Sequence, residues 1–422
     1  MALRERVLSS VRRRLGPEGL PLRLAFWDGA RFDLGPSPAV TMTFTRPVVL
    51  RALLRGDVDR LAENYVEGTL LVDGRLQDIL ALGISLAERI GRNPWLRRLG
   101  AILGKRRFRH TRHADAQAIR YHYDVSNEFY ALWLDRQMIY SCAYFETGAE
   151  DIDRAQEQKL DHLCRKLRLK PGERLLDIGC GWGGLLRWAA RHYGVSGVGV
   201  TLSERQCAYA QRRIAEDGLA GRLEVRLQDY RDIPGEGAFD KIVSVGMYEH
   251  VGRANLLLYF ATIQRLLKEG GVALNHGITT GDPEDAPQGP PGGGFIDRHV
   301  FPGGELPHLS RVVRAMARQG LEVLDVECLR PHYAETLLRW VRRLEAARDQ
   351  AIALAGIERY RIWRIYMAGC AHAFDRGWLS IHQVVAVKPD ASGLAPRPWT
   401  RRYQYDPAAP VGESGPLRWG DL

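Results

Sequence analysis

Residues 173–193, ERLLDIGCGWGGLLRWAARHY, decide the fold. ERLLDI reads as a buried strand, GCGWGG as a loop and the remainder as a helix reaching about Tyr193. Glycines in such a loop let backbone amides approach a ligand that side chains would block. Working outward, the same rhythm repeats. VSGVGV (195–200) precedes a helix from Ser203, and LEVRLQ (223–228), FDKIVSV (239–245) and GGVALNH (270–276) are further strands. Apolar strands alternating with helices imply an α/β fold built on a parallel, doubly wound sheet. LEVLDVE (321–327) and IHQVVAVK (381–388) lie beyond long helical stretches and are read as strands that close the sheet. Residues 332–375 read as mostly helix, rich in Tyr, Trp and Leu, placed to roof a pocket.

The loop satisfies G-x-G-x-x-G loosely, which alone is weak evidence for a dinucleotide. A dinucleotide site also wants an acidic residue about twenty positions on, at the end of the second strand. Here that strand ends Gly199-Val200-Thr201, which argues against NAD. Asp177, two residues before the first glycine, instead matches S-adenosylmethionine sites in class I (Rossmann-like) methyltransferases, which this loop resembles.

The 422 residues, 45% hydrophobic and 26% charged, suit a globular protein of two domains. No run of eighteen apolar residues occurs and the first twenty residues lack an apolar h-region, so neither a membrane span nor a signal peptide is expected. The six cysteines form no CxxC pair, so no metal site or disulfide framework is expected, and a reducing cytosol fits best. Residues 1–120 hold 22 Lys and Arg against 12 Asp and Glu, so the whole net charge of +10 is N-terminal. Arg89 to His113 carries nine Lys and Arg and no acid, interleaved with Trp95, Leu96, Leu99, Ile102, Leu103 and Phe108. A helix stripe of Leu3, Val7, Leu8, Val11 and Leu15 flanked by arginines repeats the theme. Both suit an anionic surface, phospholipid or nucleic acid, or a plain solvated face.

LRLAF (22–26), RFDL (31–34) and VTMTF (40–44) read as short strands, followed by helical patterns near 46–66 and 75–90. The expected organisation is a smaller N-terminal α+β accessory domain (1–88), a basic linker (89–114), the methyltransferase domain (115–388) and an irregular tail (389–422). GDPEDAPQGPPGGG (281–294), with four Pro and five Gly, reads as a loop.

Eight blocks in order carry a wider resemblance: Tyr121-His122-Tyr123-Asp124 with Asn127, Phe129 and Tyr130; YSCAY (140–144); LDIGCGWGG (176–184); GVTLSERQ (199–206); QDYRD (228–232); SVGMYEHVG (244–252); FPGGELP (301–307); and HYAETL (332–337). From about 115 to 388 the chain resembles the cyclopropane-fatty-acyl-phospholipid synthases, relatives of the mycolic acid methyltransferases. AENYVEG (62–68) is similar to the accessory domain of the long synthases, which act on membrane phospholipid. The resemblance implies that Tyr140, Ser141, Gly179, Gly181, Gly183, Thr201, Leu202, Ser203, Gln206, Gln228 and Asp229 hold S-adenosylmethionine. Thr201 and Ser203 equally suit a helix N-cap. It also implies a bound bicarbonate cradled by Cys142, Glu249, His276, Ile278 and Tyr333, with Cys142 and Ile278 contributing backbone groups. Cys370 matches a family cysteine once proposed as nucleophile, although a cysteine in an apolar helix is usually inert packing.

The residues support that chemistry on their own terms. Glu249 and His250 follow one strand and His276 ends the next, where ligand sites of open α/β sheets gather; packing of His276 at a sheet edge is the bland alternative, and the bland reading is preferred for His250 and His122. An alkene attacking a sulfonium methyl leaves a carbocation, which aromatic faces stabilise (Tyr140, Tyr144, Trp182, Tyr248, Phe295, Tyr333 and Trp363 are candidates) and a base must deprotonate. The expectation is methylene transfer to the cis double bond of an unsaturated phospholipid acyl chain, at the inner membrane face, by a cytoplasmic peripheral enzyme. A homodimer is implied by the resemblance alone. The alternative is a fatty-acid C-methyltransferase giving methyl- or methylene-branched or furan-precursor lipids. A lipid carrier with a dead methyltransferase fold disagrees with the presence of Glu249 and His276. No nucleic acid partner is expected, because no Asn/Asp-Pro-Pro-Tyr or Pro-Cys motif appears.

Overall fold

The computed structural model describes residues 9, 20–55, 57–75, 78–79, 81–82, 126–281, 293–395, 397–406, 408–409 and 411–414. The first helix candidate, the basic stretch 89–113, residues 121–124 and most of the 281–294 loop lie outside them. The chain forms two compact units. One gathers residues 1–107, 286–302 and 348–372; the other gathers 108–285, 303–347 and 373–422.

The second unit is a seven-stranded sheet of β5 (Arg174–Ile178), β6 (Ser196–Thr201), β7 (Leu223–Leu227), β8 (Phe239–Val245), β9 (Leu267–Thr280), β10 (Glu322–Cys328) and β11 (Leu379–Val387). Their order is β10-β11-β9-β8-β5-β6-β7. β11 is antiparallel to both neighbours, β9 and β10, while the pairings among β5 to β9 are parallel. β5 has β6 on one side and β8 on the other, so the direction of winding reverses beside the glycine loop. Ligand crevices of open sheets form at such a point.

Successive strand residues face opposite layers. Leu175, Val243, Leu274 and Val385 pack with Leu160, Leu163, Leu186 and Ala210 of the helices Ile152–Lys166, Gly184–Tyr193 and Glu204–Glu216. Leu176, Ile242, Ala273 and Val384 pack with Tyr259, Phe260, Val312 and Met316 of the helices Leu256–Leu266 and Leu309–Arg318. Burial on both faces explains why these strands read as continuous apolar runs. β9 runs beyond GGVALNH at both ends, and its C-terminal extension, Gly277 to Thr280, pairs with the N-terminal half of β11. Gly277 lies under the ring of Tyr248; a Cβ there would fall 2.3 Å from it.

The N-terminal unit holds β1 (Leu22–Phe26), β2 (Arg31–Asp33), β3 (Val40–Phe44) and β4 (Leu70–Gly74) in the order β2-β1-β3-β4. Leu22, Leu24, Phe26, Val40, Met42 and Phe44 alternate inward and meet Val49 and Leu50. The 46–66 pattern forms two helices, Val49–Arg55 and Val58–Val66, because Asp57 caps the second, its carboxylate accepting from Arg60 N at 3.0 Å. β4 went unread because LLVDG does not alternate. Within this unit AENYVEG acts as a clamp: Glu63 accepts from Arg298 and pairs with His299 (both 2.8 Å), while Tyr65 Oη accepts from Arg364 at 2.9 Å. Gly293 and Gly294, read as loop, begin the helix Gly293–His299, with Phe295 N donating to Asp59 at 2.7 Å.

Gly277→Ala is expected to lose about 1–3 kcal/mol through overpacking against Tyr248 and to melt several degrees lower. An unchanged melting midpoint would mean that this close approach is not a packing constraint.

Candidate active site

The turn after β5 is left-handed at Gly179, Gly181 and Gly183 (φ 79°, 54° and 78°), a conformation that needs glycine. It forms one wall of a cavity. Of the residues expected to hold the cofactor, Tyr140, Ser141, Gly179, Gly181, Thr201, Leu202, Gln206 and Gln228 line that cavity. Gly183, Ser203 and Asp229 serve it indirectly. Gly183 caps the helix Gly184–Tyr193, where its missing Cβ admits Ala210. Ser203 caps the helix Glu204–Glu216, its Oγ accepting from Gln206 N at 3.3 Å, so the N-cap alternative applies to Ser203. Thr201 Oγ1 donates to Gln206 Oε1 at 2.8 Å and fixes that side chain at the cavity wall. Asp229 is engaged by Arg231, which donates through both Nε (2.9 Å) and Nη2 (2.6 Å). His250, for which a structural role was preferred, lines the cavity, and so do Trp182, Asp177 and Lys159. The glycine backbone, the polar residues at 201–206 and the aromatic Tyr140 and Trp182 fit an adenosyl amino acid.

Tyr140 to Phe145 is pinned from two helices. Gln156 Nε2 donates to Ser141 O (2.9 Å), and Lys159 Nζ donates to Ser141 Oγ (2.9 Å). From the helix Arg330–Ala346, Thr336 Oγ1 accepts from Ala143 N at 3.0 Å and His332 Nδ1 from Phe145 N at 3.0 Å. HYAETL is therefore the partner of YSCAY. Asn127 likewise accepts from Trp182 Nε1 at 2.8 Å, which accounts for its place in the first block.

Four of the five residues expected to form the cradle, Glu249, Ile278, Tyr333 and Cys142, are linked through strand pairing and hydrogen bonds, and His276 lies on the same strand as Ile278. Glu249 Oε1 accepts from Ile278 N at 2.7 Å. Ile278 is the register partner of Ile381, whose carbonyl accepts from Leu329 N at 2.9 Å. The Leu329 carbonyl accepts from Tyr333 N at 3.1 Å and lies 3.8 Å from the Cys142 thiol. That thiol is fully buried, donates to Ala143 O at 3.2 Å, and is pushed up by desolvation, so it stays protonated. His276 pairs with Val245 and Gln383 on the neighbouring strands. Gln383 Nε2 donates to His276 Nδ1 at 3.2 Å, which leaves the ring proton on Nε2. Burial holds this imidazole well below its usual pKa, hence neutral. Burial also raises Glu249 to about 7, against which the Ile278 amide acts. Glu249 Oε2 and His276 Nε2 are buried and meet no hydrogen-bond partner among the described residues. Each orphaned atom is one that a small polar ligand such as bicarbonate would satisfy; neither Glu249 nor His276 is among the residues lining the cofactor cavity.

Aromatic rings connect the cavity and this cradle. Tyr140 lies 5.3 Å from Trp340 and 5.4 Å from Trp133, and Trp340 lies 6.2 Å from Tyr333. Trp340 and Trp133 were missed by sequence reasoning; Trp340 lies in an ordinary apolar helical pattern and Trp133 in the turn after the helix Asn127–Ala131, and neither setting distinguishes them from core. The remaining aromatic candidates do other work. Tyr144 is stacked between His162 and His332, Tyr248 covers Gly277, and Phe295 and Trp363 belong to the N-terminal unit. Cys370 also belongs to that unit, and burial pushes its thiol up to about 12, so it is not poised as a nucleophile.

The sequence model of the mycolic acid cyclopropane synthetases matches residues 110–384, and that of a domain of unknown function matches 17–93. A Pseudomonas putida protein named "Probable fatty acid methyltransferase" is 48% identical over 92% of this chain and 96% of its own length. The Escherichia coli cyclopropane-fatty-acyl-phospholipid synthase is 40% identical over 65% of this chain and 68% of its own. The crystal structure of mycolic acid cyclopropane synthase CmaA1 with SAH and CTAB superposes with a TM-score of 0.61 at 37% identity, over 65% of this chain and 98% of that one. The match covers the cavity, the cradle and the aromatic rings between them, and on it the chain belongs to the mycolic acid cyclopropane synthetase family of S-adenosylmethionine-dependent methyltransferases.

Proposed function

We propose that this enzyme adds a methylene across the cis double bond of an unsaturated phospholipid acyl chain, working as a peripheral protein at the inner membrane face. The observation that carries the reading is the pair of buried, unpartnered atoms, Glu249 Oε2 and His276 Nε2, beside an aromatic-lined cofactor cavity. S-adenosylmethionine supplies an electrophilic methyl on sulfonium, and the glycine loop with Tyr140, Ser141 and Gln206 is suited to hold it. Bicarbonate supplies a proton acceptor, which Glu249, His276, the Ile278 and Cys142 backbone and Tyr333 are suited to cradle.

An alkene is a weak nucleophile, so alignment and exclusion of water contribute most of the rate. Addition leaves positive charge on the acyl chain. The faces of Tyr140, Trp340 and Tyr333 each stabilise such charge by about 0.5–2 kcal/mol where water is excluded. Loss of a proton then closes the ring. The N-terminal excess of basic residues supports docking on anionic lipid. The likeness to the Pseudomonas protein supports a second reading, in which the same cation ends as a methyl or methylene branch.

Expression in a host with unmodified lipids, fed methyl-deuterated methionine, separates the outcomes. A fatty acid carrying two deuteriums in a ring identified by NMR is expected; a methyl branch carrying three, or a methylene branch carrying two on an alkene carbon, would replace the ring-forming account with the second reading.

Glu249→Gln is expected to lower kcat by about 100-fold or more while S-adenosylhomocysteine binding changes less than about threefold. Burial raises the folded-state pKa of Glu249 from 4.5 to about 7, so the folded protein binds the extra proton between those values. Stability is lost as pH rises through that window, and above it the ionised carboxylate costs about 3 kcal/mol. The Gln variant is therefore expected to melt several degrees above the parent at pH 8 and level with it near pH 4. Full activity, or a stability gain independent of pH, would remove Glu249 from the cradle.

A further inference from the structure

Lys159 is a buried cation that forms no ion pair among the described residues, with Asp135 and Asp177 acting on it only at longer range. It sits mid-way along the helix Ile152–Lys166, is 2% exposed, and lines the cofactor cavity. Its one hydrogen bond among the described residues goes to a neutral group, Ser141 Oγ, at 2.9 Å. Asp135, which acts on it at longer range, spends its two oxygens on the amides of Gln137 (2.7 Å) and Ile139 (2.8 Å). Asp177, also buried and on the cavity wall, forms no ion pair with Lys159 among the described residues. Desolvation lowers Lys159 only to about 8, so the ammonium remains mostly protonated at neutral pH.

A buried ammonium with a single neutral acceptor keeps two donors unused and its charge only partly offset by carboxyls at longer range, an arrangement that costs stability unless a ligand completes it. One cavity wall thus presents a cation with a hydroxyl and, apart from it, a carboxyl. That is the complement of an α-amino acid zwitterion.

We propose that Lys159, with Ser141, is the counter-charge for the carboxylate at the amino-acid end of the cofactor, and that Asp177 faces its ammonium. The inference rests on S-adenosylmethionine being the cofactor and goes beyond it by assigning its recognition to a residue in no sequence motif. Charge-assisted hydrogen bonds of this kind are worth roughly 10- to 100-fold in affinity. In this arrangement Lys159 selects the complete cofactor over adenosine derivatives that lack the carboxylate.

Calorimetric titration of the full chain tests this with three ligands: S-adenosylhomocysteine, its decarboxylated analogue and 5′-methylthioadenosine. The parent is expected to bind S-adenosylhomocysteine at least about tenfold more tightly than the decarboxylated analogue. Lys159→Met is expected to weaken S-adenosylhomocysteine by about 10- to 100-fold and the decarboxylated analogue by less than threefold, with Lys159→Arg restoring part of the preference. A parent protein without carboxylate preference overturns the proposal with no variant needed, and so does Lys159→Met weakening both ligands equally. Failure of the parent to bind any of the three would instead contradict the cofactor assignment.

Discussion

The hydrogen bond from the Ile278 amide to Glu249 is the constraint on which the site depends. It holds a carboxyl group in a buried position where burial, against the lowering effect of that bond, raises its pKa to about 7. The other oxygen meets no partner among the described residues, and two positions before Ile278 on β9 His276 presents a ring nitrogen that likewise meets none. An apolar substitute for either would pack more stably. On the proposed function, that cost in stability keeps two polar groups available for the proton transfer beside the cofactor cavity.

The sheet makes this geometry possible. β9 and β11 pair across the whole of the β9 extension, and that pairing sets Ile278, whose amide holds Glu249, opposite Ile381, whose carbonyl accepts from Leu329 N. The inverted β11 therefore does more than extend the sheet. It joins the β8–β9 end, which holds Glu249 and His276, to the helix Arg330–Ala346, which pins the YSCAY segment. Blocks distant in sequence, 140–144, 244–252 and 332–337, become one site through backbone bonds.

Much of this was legible in the sequence because its signals are local. The alternation of apolar strands and helices, the glycine loop and Glu249 just past the end of β8 each depend on residues within a few positions, whereas His276, read as ending its strand, lies inside β9, which continues to Thr280. What was missed depends on contacts between distant segments. Lys159 reads as one more charge on an amphipathic helix, and only the position of Ser141 shows that it turns inward. Trp340 reads as core until Tyr140 and Tyr333 are seen around it. His250 reads as a histidine packing at the sheet edge beside a catalytic residue, yet it lines the cavity. The AENYVEG motif, suggestive of lipid-enzyme accessory domains, owes at least Glu63 and Tyr65 to clamping the 293–299 and 348–372 segments within its own unit.

A crystal structure of the full chain grown with S-adenosylhomocysteine and bicarbonate would test the central claim most directly. The account predicts a flat, three-oxygen anion accepting from His276 Nε2 and hydrogen-bonded to Glu249 Oε2, with the aromatic rings between it and the cofactor. Direct bonding of those two side chains to each other, with no room for an anion between them, would contradict it.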